Sequence, residues 1–235
     1  MLRALIDGTT DAAAVAALAQ GKLRNKRPAL AAALRGQIGP HQRFLLAQQL
    51  AHIEQLEATI AAVGAEIAAR LRPFGDELEQ LQTIPGVGLR TAQVLLAEIG
   101  ADMSRFPSAG HVASWAGMCP GNDESAGKRR SGRTRKGNPW LRSALIEAAH
   151  AAARSKGTYL AAQYRRLAAR RGAKRAAVAV GHSILVSVYY LLRNDVPYHD
   201  LGGNYFDERD RLAVERRLVR RLEALGHKVN LEPAA

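Results

Sequence analysis

Leu81-Gln82-Thr83-Ile84-Pro85-Gly86-Val87-Gly88-Leu89-Arg90-Thr91-Ala92 is the stretch on which the fold turns. A proline and two glycines sit here between two helical patterns, Asp76 to Gln82 and Leu89 to Gly100, so the whole reads as two helices joined by a tight turn, a helix-hairpin-helix. Thr91, Val94, Leu95, Leu96 and Ile99 supply the core face of the second helix. Glycine reaches backbone angles that other residues avoid, and a helix N-terminus presents N–H groups without intrahelical partners. Gly86 and Gly88 are therefore the expected backbone cradle for one nucleic-acid phosphate, a contact that reads no base. Packing of the turn within the domain is the competing role for the same residues.

Working outward toward the C-terminus, Ser108 is placed to cap a helix that runs through Trp115 and closes at Gly117. Pro120 to Pro139 is too rich in Gly, Ser, Asn and Arg for a core element and reads as a long loop. Long loops inside compact chains are usually functional or disordered. Asn138 as cap and Pro139 at the first helical position restart a helix through Leu141, Leu145 and Ala148. Thr158 caps the next, ending at Arg171, and Ala173 to Arg193 forms the last buried helix. Asp207 to Leu225 reads as a charged helix whose Leu212, Leu218, Leu222 and Leu225 dock on the body.

Toward the N-terminus the pattern changes at Gly39-Pro40. Leu46, Leu50, Ile53, Leu56, Ile60, Val63, Ile67, Leu71 and Phe74 recur at steps of three or four, which predicts one long helix with a coiled-coil-like seam. A seam needs an apolar partner, so the 42–74 segment is the expected site of homo-oligomerisation, with Gly64 its weak point. Residues 1–38 are rich in Ala and Leu and predict short helices, with Thr10 or Asp11 as a helix cap. No segment alternates with period two, so the expected class is all-α. The expected divisions are 1–38, the long helix 39–75, a domain over 76–200, and a charged tail over 201–235.

Composition narrows the function. The 235 residues hold 34 Lys plus Arg against 21 Asp plus Glu, a net charge of +13 that calls for a polyanionic partner, DNA or RNA before a membrane surface. The surplus is local: Ser125 to Arg175 holds fifteen basic residues and one acid, Glu147, and the rest of the chain is close to neutral. A concentrated surplus is the footprint of a phosphate-binding surface. One cysteine, Cys119, excludes an internal disulfide framework and fits a reducing cytoplasm. The early Asp7 and Gly8 leave no signal-peptide core, and Ala176 to Leu192, free of charge but carrying His182, Ser183 and Ser187, reads as a core helix rather than a membrane span.

The chemistry concentrates in Asn122-Asp123-Glu124-Ser125-Ala126-Gly127-Lys128-Arg129-Arg130-Ser131-Gly132-Arg133-Thr134-Arg135-Lys136-Gly137-Asn138. A hydroxyl attacking a phosphodiester must lose its proton, and the charge growing on phosphorus must be stabilised. Asp123 or Glu124 can do the first, and the flanking cations the second. Ser125, Ser131 and Thr134 are the competing hydroxyls, and spacing does not choose among them; a loop that only grips phosphates is the plainer use of the same residues. Trp115 and Trp140 bracket the loop, where they could stack on bases, but they occupy helix positions for which core packing is the expected role. The seven histidines form no ligand pairing, and His199-Asp200 reads as a loop hydrogen bond, so no metal site is assigned.

Taken in order, Ile84-Pro85-Gly86-Val87-Gly88, Phe106-Pro107-Ser108, Trp115-Ala116-Gly117-Met118-Cys119-Pro120, Ser125-Ala126-Gly127-Lys128 and Arg135-Lys136-Gly137-Asn138 with Leu141-Arg142 resemble the C-terminal domain of bacterial insertion-sequence transposases of the one-ten family. The match covers roughly Leu78 to Leu192, and the helices before it resemble that family's linker and coiled coil. The resemblance implies a DNA recombinase guided by a structured bridge RNA, in which a serine forms a covalent phosphoserine link to DNA. Ser125, three residues before the box lysine, stands in the matching place. Lys128, Arg129, Arg130, Arg133, Arg135, Lys136, Asn138 and Arg142 are then the expected nucleic-acid-binding side chains.

Family members also carry an N-terminal nuclease-like domain with four acidic residues that hold magnesium. The acids before the turn here are Asp7, Asp11, Glu54, Glu57, Glu66, Asp76, Glu77 and Glu79, and those from Glu54 onward fall in the long helix or its extension. The expectation is a chain like the back two thirds of a transposase, begun at an internal methionine and binding no cofactor itself, with magnesium supplied only through the missing acidic domain.

Overall fold

The computed structural model describes residues 1–9, 11–36, 38–121 and 123–231, leaving out the side chains of Asp123, Arg129 and Arg130. The described residues are mostly helical, with one short two-stranded ribbon, so the all-α class holds. They divide into two compact units, Met1–Arg72 and Pro73–Ala235.

In the first unit, α1 (Leu2–Ile6), α2 (Ala12–Ala17) and α3 (Arg27–Ala33) are short. Asp11 caps α2 by accepting the Ala13 N–H at 2.9 Å; Thr10, the other cap expected, lies outside the described residues. Val15, Ala16 and Ala19 are buried, and Arg27 donates to the Ala17 carbonyl at 2.7 Å. Then α4 (Pro40–Leu71) runs for 32 residues, with Gly39 as its N-cap and Pro40 at its start. At 1.5 Å per residue it is about 48 Å long. The expected long helix is present, and Gly64 does not interrupt it. None of its residues is buried: Phe44, Ile53, Leu56, Ile60 and Val63 are exposed, and its contact within the unit is with α1, where Arg3 pairs with Glu54.

The second unit is built around α10 (Ala173–Asn194). Before it come α5 (Gly75–Gln82), α6 (Leu89–Ile99), α7 (Ala109–Trp115), α8 (Pro139–Ala152) and α9 (Tyr159–Arg171). Packed against α5, α7, α8 and α9, α10 buries Val180, Ile184, Leu185, Val188 and Tyr189. Its length and apolar composition would suffice to cross a membrane, but half of the most apolar window is buried inside the unit, as expected of a core helix. At Gly181 the approach is close: a Cβ there would stand 2.8 Å from Met118 Cε and 3.2 Å from the Leu145 carbonyl oxygen.

Side-chain caps set the starts of α8 and α9, as Asp11 does for α2. The Asn138 side chain accepts the N–H groups of Trp140 and Leu141, both at 3.0 Å, and Thr158 accepts that of Ala161 at 3.3 Å. Ser108 differs from expectation. Its hydroxyl bonds to His111 Nδ1 at 2.8 Å, so the imidazole three residues on takes the group that was expected to cap α7.

The tail also differs. Asp210, at φ −130° and ψ 40°, splits it into α11 (Tyr205–Arg209) and α12 (Arg211–Ala224). Docking falls to aromatics on α11: Tyr159 of α9 meets Tyr205 edge-on at 5.3 Å and stacks on Phe206 at 5.1 Å. The leucines expected to dock, Leu212, Leu218, Leu222 and Leu225, are exposed.

Candidate nucleic-acid interface

The segment expected to be a loop folds into an antiparallel ribbon, β1 (Asp123–Ser125) paired with β2 (Lys128–Ser131). The cause is local. Ala126 and Gly127 both take positive φ, 51° and 73°, the requirement of the two-residue turns whose twist suits a hairpin. Glycine does this freely, whereas alanine pays about 1–2 kcal/mol in the left-handed region. A strained residue thus stands immediately after Ser125.

The register pairs Ser125 with Lys128 and Glu124 with Arg129, with a bulge between Asp123 and Glu124. Directly paired residues project from the same face of a ribbon, so Ser125 and Lys128 are side by side at its exposed tip. Successive strand residues face opposite ways, which turns Glu124 from Ser125 and removes it as a neighbouring base. The side chain of Asp123, the other expected base, lies outside the described set, as do those of Arg129 and Arg130 and the whole of Asn122.

The root of the ribbon is tightly held. Pro120 bridges to Thr134, and the Gly121 N–H donates to the Arg133 carbonyl at 2.9 Å. Just beyond, the backbones at Gly117 and Gly137 cross so closely that a Cβ on Gly137 would stand 2.4 Å from the Gly117 nitrogen. Only glycine fits there.

Three of the expected nucleic-acid residues are occupied inside the protein. Arg142 donates through Nη1 to the Gly117 carbonyl at 2.7 Å and to Thr134 Oγ1 at 2.9 Å, so this half-buried guanidinium clasps both sides of the ribbon root instead of reaching outward. Asn138 caps α8 and passes its amide N–H to Glu98 on α6. Gly86, at φ +91°, is a packing glycine, since a Cβ on it would lie 2.3 Å from the Ala148 carbonyl oxygen of α8. Gly88 remains open, exposed at the start of α6 with no atom within 4 Å of a Cβ position.

Lys128, Arg133, Arg135 and Lys136 are exposed, and none belongs to an ion pair among the described residues. The hydroxyls also separate. Ser131 Oγ accepts the Arg133 N–H at 3.1 Å and Thr134 is clasped by Arg142, while Ser125 stands at the tip. The tryptophans, expected in the core, are surface residues: Trp140 is 74% exposed and Trp115 46%. Each sits at a helix end beside the ribbon root, and Phe106 meets Trp115 at 6.0 Å. Helical spacing placed both on apolar faces but could not say that those faces end there. Asp200 is a loop bracket, accepting the Tyr159 N–H at 2.9 Å and the Gly202 N–H at 2.7 Å. Burial, and then Asp200, push the neighbouring Tyr198 phenol up from its ordinary value.

A helical domain with an exposed cationic ribbon on a rigid root is the class that fold and site define. Comparison supplies the family: residues 78–165 match a family model described as Transposase IS116/IS110/IS902 family. The match lies within the second unit, running from α5 into α9. It is 40% identical over 101 residues to the Insertion element IS110 uncharacterized 43.6 kDa protein of Streptomyces coelicolor, covering 42% of this chain and 23% of that one. Over 127 residues it is 30% identical to the Transposase for insertion sequence element IS1111A of Coxiella burnetii, 52% of this chain and 35% of the relative. Over 123 residues it is 35% identical to the Pilin gene-inverting protein of Moraxella bovis, 50% and 37% of the two chains. The chain thus spans well under half the length of these relatives.

Proposed function

We propose that the chain acts in DNA transposition or site-specific recombination, with the ribbon gripping the DNA backbone and Ser125 attacking it. The observation that carries this is Ser125 at the tip of a cationic ribbon, opposite Lys128, in a domain matched to a transposase family. Ser125 Oγ forms a bond to phosphorus, its proton leaves to a base, and the bond from phosphorus to a deoxyribose oxygen breaks, that oxygen taking up a proton. Lys128, Arg133, Arg135 and Lys136 stabilise the charge developing on the phosphoryl oxygens. The N–H groups beginning at Gly88 offer a further backbone phosphate contact.

Among the described residues no three acidic, histidine or cysteine side chains converge as a metal site. In the proposal magnesium would be held by the carboxylates of an acidic domain, not by the ribbon residues. The proposed partners are DNA, a structured guide RNA, and further copies of the chain through α4, with the work done at the bacterial chromosome in the cytoplasm.

The test is a denaturing gel of labelled branched DNA and magnesium with the native chain and with Ser125→Ala. A covalent adduct in the first and none in the second is the expected result. No adduct even when the acidic domain of a relative is supplied, with salt-sensitive binding intact in both, overturns the nucleophile and leaves a non-catalytic nucleic-acid-binding chain.

A further inference from the structure

Trp140 is anomalous for its position. It lies in the first turn of α8, where the next residue, Leu141, is wholly buried, yet it is itself 74% exposed. A large indole held in water at a fixed backbone site offers an open aromatic face to a ligand. The site is fixed: the Trp140 N–H donates to Asn138 Oδ1 at 3.0 Å, and Asn138 is tied to Glu98 on the neighbouring helix.

Trp115, 46% exposed, ends α7 immediately before Ala116. A Cβ on Gly137 would stand 2.4 Å from the Ala116 carbonyl carbon, so the strand that leads to Trp140 crosses the backbone next to Trp115. The backbones of Trp115 and Trp140 therefore lie on either side of one crossing, within three residues of it, and exposed Arg135 and Lys136 lead directly into it. Aromatic faces beside unpaired cations form the pattern that binds a single strand, whose phosphates meet the cations while its bases stack. In a duplex the base faces are already stacked on one another, and an indole gains no face to cover.

We infer that Trp140, with Trp115 beside it, is a stacking platform for an unpaired DNA strand held at the ribbon root. This rests on the reading of the ribbon as a DNA grip, and it names the form of DNA that the grip takes.

The chain has two tryptophans, so Trp115→Phe leaves Trp140 as the sole indole reporter. This variant is titrated with a deoxythymidine oligomer, with a blunt duplex of equal length, and with the uridine oligomer, each at low and at physiological salt. Trp140→Ala and Trp140→Phe in the native background are titrated with labelled forms of the same three. The expected result is quenching by the single DNA strand and little by the duplex. Trp140→Ala should then lose about 5- to 100-fold in affinity for the single strand, with the salt slope and duplex affinity unchanged, and Trp140→Phe should retain most of it. Salt-sensitive binding of both DNAs without quenching, and with Trp140→Ala like the native chain, overturns the platform and leaves the grip standing. Stronger quenching and a larger loss with the RNA overturn the assignment to DNA. No salt-sensitive binding of any oligomer overturns both.

Discussion

The chain contains two long apolar helices, and they behave in opposite ways. In its 22 residues α10 buries an apolar face from Ala176 to Leu191 against helices of its own unit. Over 32 residues α4 carries as regular a series of apolar side chains and buries none of them. Both rows obey helical periodicity, so periodicity alone cannot tell a core helix from one whose partner is another molecule. The difference lies around them: α10 is crossed by neighbours at small residues such as Gly181, whereas the short α1 is the element that meets α4. An apolar face that no element covers is left in water, which is the physical ground for proposing that a second copy covers it.

The largest test of this contrast is a pair of truncations. Leu185→Ala, at a fully buried site on α10, should cost about 2–5 kcal/mol in denaturant unfolding followed by circular dichroism. Ile60→Ala, at a site 64% exposed in α4, should cost well under 1 kcal/mol when the chain is dilute, while shifting its self-association in sedimentation toward monomer. Equal costs at the two sites would erase the distinction.

A smaller effect comes from Gly64, which has open space around it. Gly64→Ala should stabilise α4 by about 0.5–1 kcal/mol, seen as raised thermal stability, unless the second copy packs closely over that point. Loss of association in this variant would sharpen the proposal by locating the contact.

The smallest is a pH effect on α10. Burial holds the His182 imidazole below its ordinary value, so the unfolded chain binds the proton more readily than the folded one. This contribution to stability is present above the ordinary histidine value near 6.5 and is lost as pH falls below it. Thermal unfolding across that range should show the fall in the native chain and a weaker one in His182→Gln; an equal fall in both would remove His182 as the cause.

Much of the second unit was legible in its sequence, because caps act locally. Asn138-Pro139 and Thr158 announce helix starts through bonds within three residues, and those starts are where they were expected. The ribbon was not legible. Its strands are polar on both faces, so no alternation of apolar residues marks them, and the turn is driven by φ angles at Ala126-Gly127 that composition does not reveal. Arg142 and Asn138 were read as ligands for the same reason that Trp115 and Trp140 were read as core. A residue type states what a side chain can do, and only tertiary placement states which partner reaches it first.

The Gly117–Gly137 crossing and the Arg142 clasp make the ribbon a cantilever: clamped at one end, loaded at the other. A beam of that kind deflects most at its free end and concentrates stress at its mount. On the proposed function, the Ser125 hydroxyl would travel with the DNA it grips, adjusting to a bent or branched substrate without any helix having to shift, while the strain of that adjustment would fall on the two glycines and the arginine at the mount.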